Sequence, residues 1–201
     1  LSLWSSSGER RYLERAEKIF ELFAAYFFQR DHGVLGEYYD DHLARSAGVT
    51  GDIVEPGHHY EWVWLLRWFE RECGRPVGPY VDALYRHADT HGYDGAGLVM
   101  DELLRDGRPH RRSRRTWPMT EAIKANLAEA AVGRPGAVER VIALTDRLHE
   151  QFLDKAAPGG WMDRLDEHGR HATDVMPAST LYHLLCMVDE LDRFAASGKP
   201  G

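Results

Sequence analysis

Cysteine is scarce. Cys73 and Cys186 are the only two among 201 residues and form no C-x-x-C pair, which excludes a disulfide-built fold and a cysteine zinc site. Long apolar runs are missing as well. The longest, Leu22-Phe23-Ala24-Ala25-Tyr26-Phe27-Phe28, falls far short of the roughly twenty residues that cross a bilayer, so a transmembrane protein is excluded. Positive charge is in deficit, with 25 Lys and Arg against 32 Asp and Glu for a net −7. Polyanion binding relies on clustered positive charge, so nucleic acid is not an expected partner. Leu1 to Gly8 has neither the basic region nor the apolar stretch of a secretion signal. A cytoplasmic location without membrane association is the expectation.

What the chain has instead is helical periodicity, 11 histidines and 6 tryptophans. Between Glu9 and Phe28 the residues Leu13, Ala16, Ile19, Phe20, Phe23 and Phe27 recur at spacings of three and four, which places them on one helix face. Similar patterns predict helices over about His58–Glu72, Pro79–His91, Thr116–Val132, Gly136–Asp154 and Ser179–Ala196. Ser179 or Thr180 suits the cap of the last one. Gly74 and Gly133, each followed closely by proline, suit helix stops. The stretches 30–57, 93–115 and 155–178 carry the turn signals Asp31-His32-Gly33, Asp106-Gly107 and Asp166-Glu167-His168-Gly169, which predict hairpins or ordered loops. Connections this long in a helical protein usually build something, often a binding surface. The rhythm predicts an all-α array of antiparallel helix pairs, six or seven helices in all.

Three segments can carry chemistry. In Glu55-Pro56-Gly57-His58-His59-Tyr60-Glu61-Trp62, Pro56-Gly57 ends a loop and a helix beginning at once puts His58 and Glu61 on one face of its first turn. The carboxylate can accept the imidazole N–H and fix its tautomer; a solvated helix start explains the same spacing. A metal site is not expected, because no second His/Glu pair repeats that spacing. In Arg115-Thr116-Trp117-Pro118-Met119-Thr120-Glu121, Trp117 and Glu121 are one turn apart. An indole covering the C–H face of a sugar beside a carboxylate that accepts its hydroxyls is one use; a core tryptophan is another. Arg111, Arg112, Arg114 and Arg115 just upstream can grip a phosphate or form a solvated loop. In the third segment, Met176-Pro177-Ala178-Ser179-Thr180-Leu181-Tyr182-His183, His183 lies among apolar residues, and Trp161 upstream is a pocket wall or simply packing.

Taken in order, Pro56-Gly57-His58-x-x-Glu61-Trp62, Arg115-x-Trp117-Pro118-x-x-Glu121, Gly159-Gly160-Trp161 and Tyr182-His183 resemble the N-acylglucosamine 2-epimerase superfamily. That superfamily includes mannose isomerase, cellobiose 2-epimerase and epimerase-like phosphomannose isomerases. The resemblance runs from about Tyr12 to Leu191 and leans toward the aldose–ketose isomerase branch. It implies an (α/α)6 barrel, twelve helices in two concentric rings, and cofactor-independent proton transfer at C2 of a sugar. By motif position His58 and His183 are the expected acid/base pair, Glu61 orients or polarises, and Trp117 and Glu121 line the sugar pocket. Two imidazoles suit proton abstraction beside a carbonyl and support of the enediol oxygen. The expected substrate is mannose or a mannose 6-phosphate-like sugar converted to its 2-ketose; 2-epimerisation of free or N-acylated sugars is the alternative. Glycoside hydrolysis, with Glu61, Glu121 and Asp163 as candidate carboxylates, and a non-catalytic helical arc are further alternatives. Family members are roughly twice as long, and residues 1–201 match their C-terminal half. An incomplete half-barrel is therefore expected, with exposed inner faces that invite self-association, such as a homodimer.

Overall fold

The computed structural model describes residues 1–198. Within them, the helices are α1 (Ser2–Ser7), α2 (Arg10–Leu22), α3 (Pro56–Cys73), α4 (Gly78–His91), α5 (Thr116–Ala131), α6 (Ala137–Leu148) and α7 (Ala178–Ala196). Short antiparallel ribbons fill the connections. β1 (Phe28–Gln29) pairs with β2 (Val34–Leu35) around the Asp31-His32-Gly33 turn. β4 (Glu102–Leu104) pairs with β5 (Pro109–Arg111) around Asp106-Gly107, and with β3 (Ile53–Val54) on its other edge. β6 (Arg114–Arg115) pairs with β7 (Arg164–Leu165).

The long patterned helices form where the periodicity predicts them, with three differences. The pattern over Glu9–Phe28 is α-helical only to Leu22 and widens into a π turn at Phe23–Phe27. That over Gly136–Asp154 does the same after Leu148. Neither Ser179 nor Thr180 caps α7: the capping residue is Pro177, and the Thr180 hydroxyl donates instead to Asp163 Oδ1 at 2.7 Å. Gly74 does end α3 in the left-handed conformation, at φ 70°.

Packing sorts the helices into two layers. α3, α5 and α7 pack side by side, and α4 and α6 lie against α3 and α5. The start of α3 meets the start of α5 at Gly57 and Trp117, and their later turns meet at Arg67 and Glu129, so the two run parallel. The start of α5 likewise meets the start of α7 at Glu121 and His183. Each of these three helices follows one of the long loops, so their first turns gather at one mouth. α5 lies at the centre: every residue from Pro118 to Leu127 is buried, as expected of a helix with neighbours on all sides. Phe20 stacks on Phe69 at 5.0 Å and Phe23 on Trp62 at 4.2 Å, which fastens α2 to α3.

The arc does not close. Leu181, Leu185 and Val188 form an exposed stripe on α7. Ile19, expected on the buried face of α2, is 52% exposed, because no described element covers that side.

Candidate active site

The site begins where β3 leads into α3. Pro56 occupies the first turn, where its missing N–H costs nothing. Gly57 is required by contact: a Cβ there would come within 2.6 Å of the Trp117 indole and 3.0 Å of Pro118. The adjacent histidines then divide. His59 is fully buried and its Nε2 accepts the Leu35 backbone N–H at 3.1 Å, pinning β2 to α3. His58 turns toward the mouth, half-buried. Its Nδ1 lies 2.9 Å from Glu37 Oε2 and 4.0 Å from Glu55. The carboxylate that engages His58 is therefore Glu37, from the loop after β2, and not Glu61 as the spacing predicts. Burial opposes charge on His58, yet the hydrogen bond and negative charge of Glu37, with Glu55 and Glu61 behind, push it up to about 9. Burial also raises Glu55, against the pull of Arg115.

The second imidazole reaches the same place from α7. His183 Nδ1 lies 2.7 Å from Glu121 Oε1, and that oxygen is 2.8 Å from Lys124 Nζ. Glu121 and Lys124 have no solvent exposure, so Glu121 supports His183 from beneath and does not line the pocket. This corrects the expectation that it accepts sugar hydroxyls. Trp117 joins the two halves. Its ring centroid is 5.0 Å from that of His58 and 5.3 Å from that of His183, so one indole lies against both imidazoles. Each histidine is engaged through Nδ1, and among the described residues Nε2 has no hydrogen-bond partner on either.

Glu61 makes no side-chain hydrogen bond or ion pair among the described residues. It is close enough to feel the charges of Glu121, His58, Lys124 and His183, and burial followed by Glu121 raises its pKa. It thus presents an uncommitted carboxyl between the two histidines. A cleft of about 350 Å3 opens on the His58 side, lined by Phe27, Leu35, Glu37, Tyr39, His58 and Glu61 and not by Trp117 or His183, within the size range of small-molecule sites.

Other candidates are accounted for by structural contacts. Arg114 pairs with Asp94, and Arg115 bridges Asp101 at 2.7 Å and Glu55 at 2.9 Å. Arg111 pairs with Glu102 at 3.0 Å, so of the four arginines only Arg112 has no ion pair among the described residues. Asp163 receives the Thr180 hydroxyl. Trp161 lines a separate hollow with Leu181 and Leu184, on another side of α7. Glu37, Glu55 and His58 place one ligand atom each within 4.8 Å of one another, and are the described residues able to hold a metal ion. All three are already tied into the His58–Glu37 and Glu55–Arg115 pairs.

Sequence reasoning missed Glu37 and Lys124. Nothing in the residues around Glu37 signals that the loop after β2 folds back on α3. Lys124 did leave a signal, a lone cation in the otherwise apolar stretch Ala122-Ile123-Lys124-Ala125.

Parallel inner helices backed by outer ones, with loops gathered over their first turns, define an (α/α)-barrel type of architecture, here unclosed among the described residues. The family follows from comparison: the N-acylglucosamine 2-epimerase (GlcNAc 2-epimerase) family profile matches residues 1–187, and the chain belongs to that family. A mannose-6-phosphate isomerase of Rhizobium meliloti (strain 1021) is 33% identical over 182 residues, covering 88% of this chain and 47% of the relative. Among solved structures, a D-mannose isomerase superposes with a TM-score of 0.80 at 19% identity, over 96% of this chain and 53% of that one. Cellobiose 2-epimerase from Bacillus thermoamylovorans B4167 also gives 0.80, at 17% identity over 94% and 49%. The chain spans about half the length of each of these proteins.

Proposed function

We propose that this chain carries the proton-transfer site of a sugar isomerase, which converts mannose or a closely related aldose to its 2-ketose through an enediol. The observation that carries the reading is the pair of imidazoles on Trp117, each engaged by a carboxylate at Nδ1 and, among the described residues, without a hydrogen-bond partner at Nε2. With His58 pushed up to about 9, it enters the reaction as an imidazolium and serves as the acid. His183 serves as the base. His183 takes the proton from C2, the electron pair of that bond forms the C1–C2 double bond, and O1 receives a proton from His58. Collapse reverses the sense: O2 gives its proton to the now-neutral His58, C2 becomes the carbonyl carbon, and C1 receives the proton held on His183, which restores both rings. Glu61, uncommitted between the two, binds and orients a hydroxyl. Trp117 covers the apolar face of the ring.

Free mannose fits better than its 6-phosphate as far as the arginine loop is concerned, since three of its four guanidiniums are committed to carboxylates. Hydrolysis needs two carboxyl groups flanking a glycosidic bond. Of the carboxylates the sequence suggests, Glu121 is fully buried and Asp163 is tied to Thr180; Glu37, which shares the cleft with Glu61, is engaged by His58. The test is product analysis starting from mannose: fructose supports isomerisation, and glucose alone supports 2-epimerisation instead.

A further inference from the structure

Lys124 has no part in the proton transfers above, yet it is paired with the carboxylate that engages His183. Its side chain is wholly inaccessible. Its Nζ lies 2.8 Å from Glu121 Oε1 and 3.7 Å from the centroid of the Trp64 ring, and Trp64 is itself buried. Glu121 needs a counter-charge, because it has no exposure; Lys124 meets it as an ion pair and not as a hydrogen bond, since Lys124 Nζ and Glu121 Oε2 are both buried without a hydrogen-bond partner. Isolated buried carboxylates give up their charge, and removing one partner of a buried pair is strongly unfavourable. The cation face of the problem is solved by the indole, whose negative π surface suits an ammonium with no water around it. Across the site the groups facing this cluster are Glu61 of α3 and His183, Tyr182 and Cys186 of α7, none of them a second cation fixed beside Glu121.

We infer that Lys124 is a positioning residue for His183: held on the Trp64 ring, it keeps Glu121 a carboxylate, and that carboxylate holds the Nδ1–H tautomer which leaves Nε2 free to act. The chain of contacts runs Trp64, Lys124, Glu121, His183, across three parallel helices. The inference rests on the proposed role of His183 for its catalytic consequence, but its structural content is independent of any activity.

The test uses 15N-detected NMR of the His183 imidazole in the intact chain, beside turnover of mannose. In the parent the neutral ring shows protonated Nδ1 and bare Nε2. In Lys124→Met that signature is lost or mixed with the other tautomer, kcat falls about 10–100-fold, the size seen for partners that orient active groups from behind, and KM stays within about twofold. In the Glu121→Gln background the same change has no further effect on either readout, because the path through Glu121 is already cut. Lys124→Gln, which keeps a donor toward Glu121 without the charge, is read in the same way if the methionine variant fails to fold. An unaltered His183 signature in a folded variant overturns the inference, even if the protein is less stable. A changed signature with no mannose turnover in any form, parent included, leaves the inference standing and removes the proposed function.

Discussion

His58 Nδ1 lies 2.9 Å from Glu37 Oε2, a carboxylate 21 residues earlier in the chain. This pair favours the imidazolium form of His58, because the hydrogen bond and the charge outweigh the burial that opposes it. In Glu37→Gln the His58 titration should fall from about 9 toward or below its ordinary 6.5, followed by NMR of the ring protons. Linkage gives a second readout. A folded-state pKa above the unfolded one contributes stability that is full below about 6.5 and lost as pH rises toward 9. The parent should therefore lose more Tm than the variant over that window; equal losses would dissociate Glu37 from His58.

Gly57 is the close-approach residue of the site. A methyl group there would meet the rigid Trp117 ring and the Pro118 ring, neither of which yields like the end of a flexible chain. Gly57→Ala should cost about 1–3 kcal/mol in urea unfolding, the usual range for overpacking. It should also weaken mannose binding by displacing the indole. Unchanged stability together with unchanged binding would contradict the contact.

Arg115 neutralises two carboxylates at once, and Asp101 is almost wholly buried. Arg115→Met leaves Asp101 without its cation and Glu55 with only the His58 imidazole at 4.0 Å, and should destabilise the chain by about 3–5 kcal/mol, as expected for one partner removed from a buried ion pair. A loss below about 1 kcal/mol, the scale of a surface pair, would show that these charges are solvated.

Acid sensitivity should come from two histidines outside the site. His59 is held well below its ordinary range, first by burial and then by neighbouring His87; burial likewise lowers His87 to about 4. A histidine kept neutral in the fold takes up its proton more readily when unfolded. Its contribution is thus present above about 6.5 and lost as pH falls toward 4. Thermal denaturation between pH 7 and 4 should show Tm dropping across this window, with a shallower drop in His87→Gln. A flat profile in the parent would contradict the burial of these rings.

Local rules went far with this chain because its helices are amphipathic and its turns carry their own chemistry. Asp31-His32-Gly33 and Asp106-Gly107 close the hairpins they predict, and Pro56 and Gly74 bound α3. His58, Glu61, Trp117, Glu121 and His183 were identified as site residues from the motifs they share with a family. Their partners were not. Within one helix, spacing makes Glu61 the natural mate of His58, but Glu37 comes from a loop, and tertiary contact decides. For the same reason Glu121 reads as a carboxylate facing a sugar until α7 is laid over it. The side of α2 carrying Ile19 reads as core because periodicity identifies an apolar stripe without saying what covers it.

The central claim is that His58 and His183 act on one sugar. Incubation of mannose in D2O, with deuterium at C2 and in any ketose product followed by NMR, tests it directly. The parent should exchange the C2 proton, and His58→Ala and His183→Ala should each slow exchange by at least about 100-fold, the lower end of what acid–base groups contribute. Exchange at the parental rate in either variant would contradict the account.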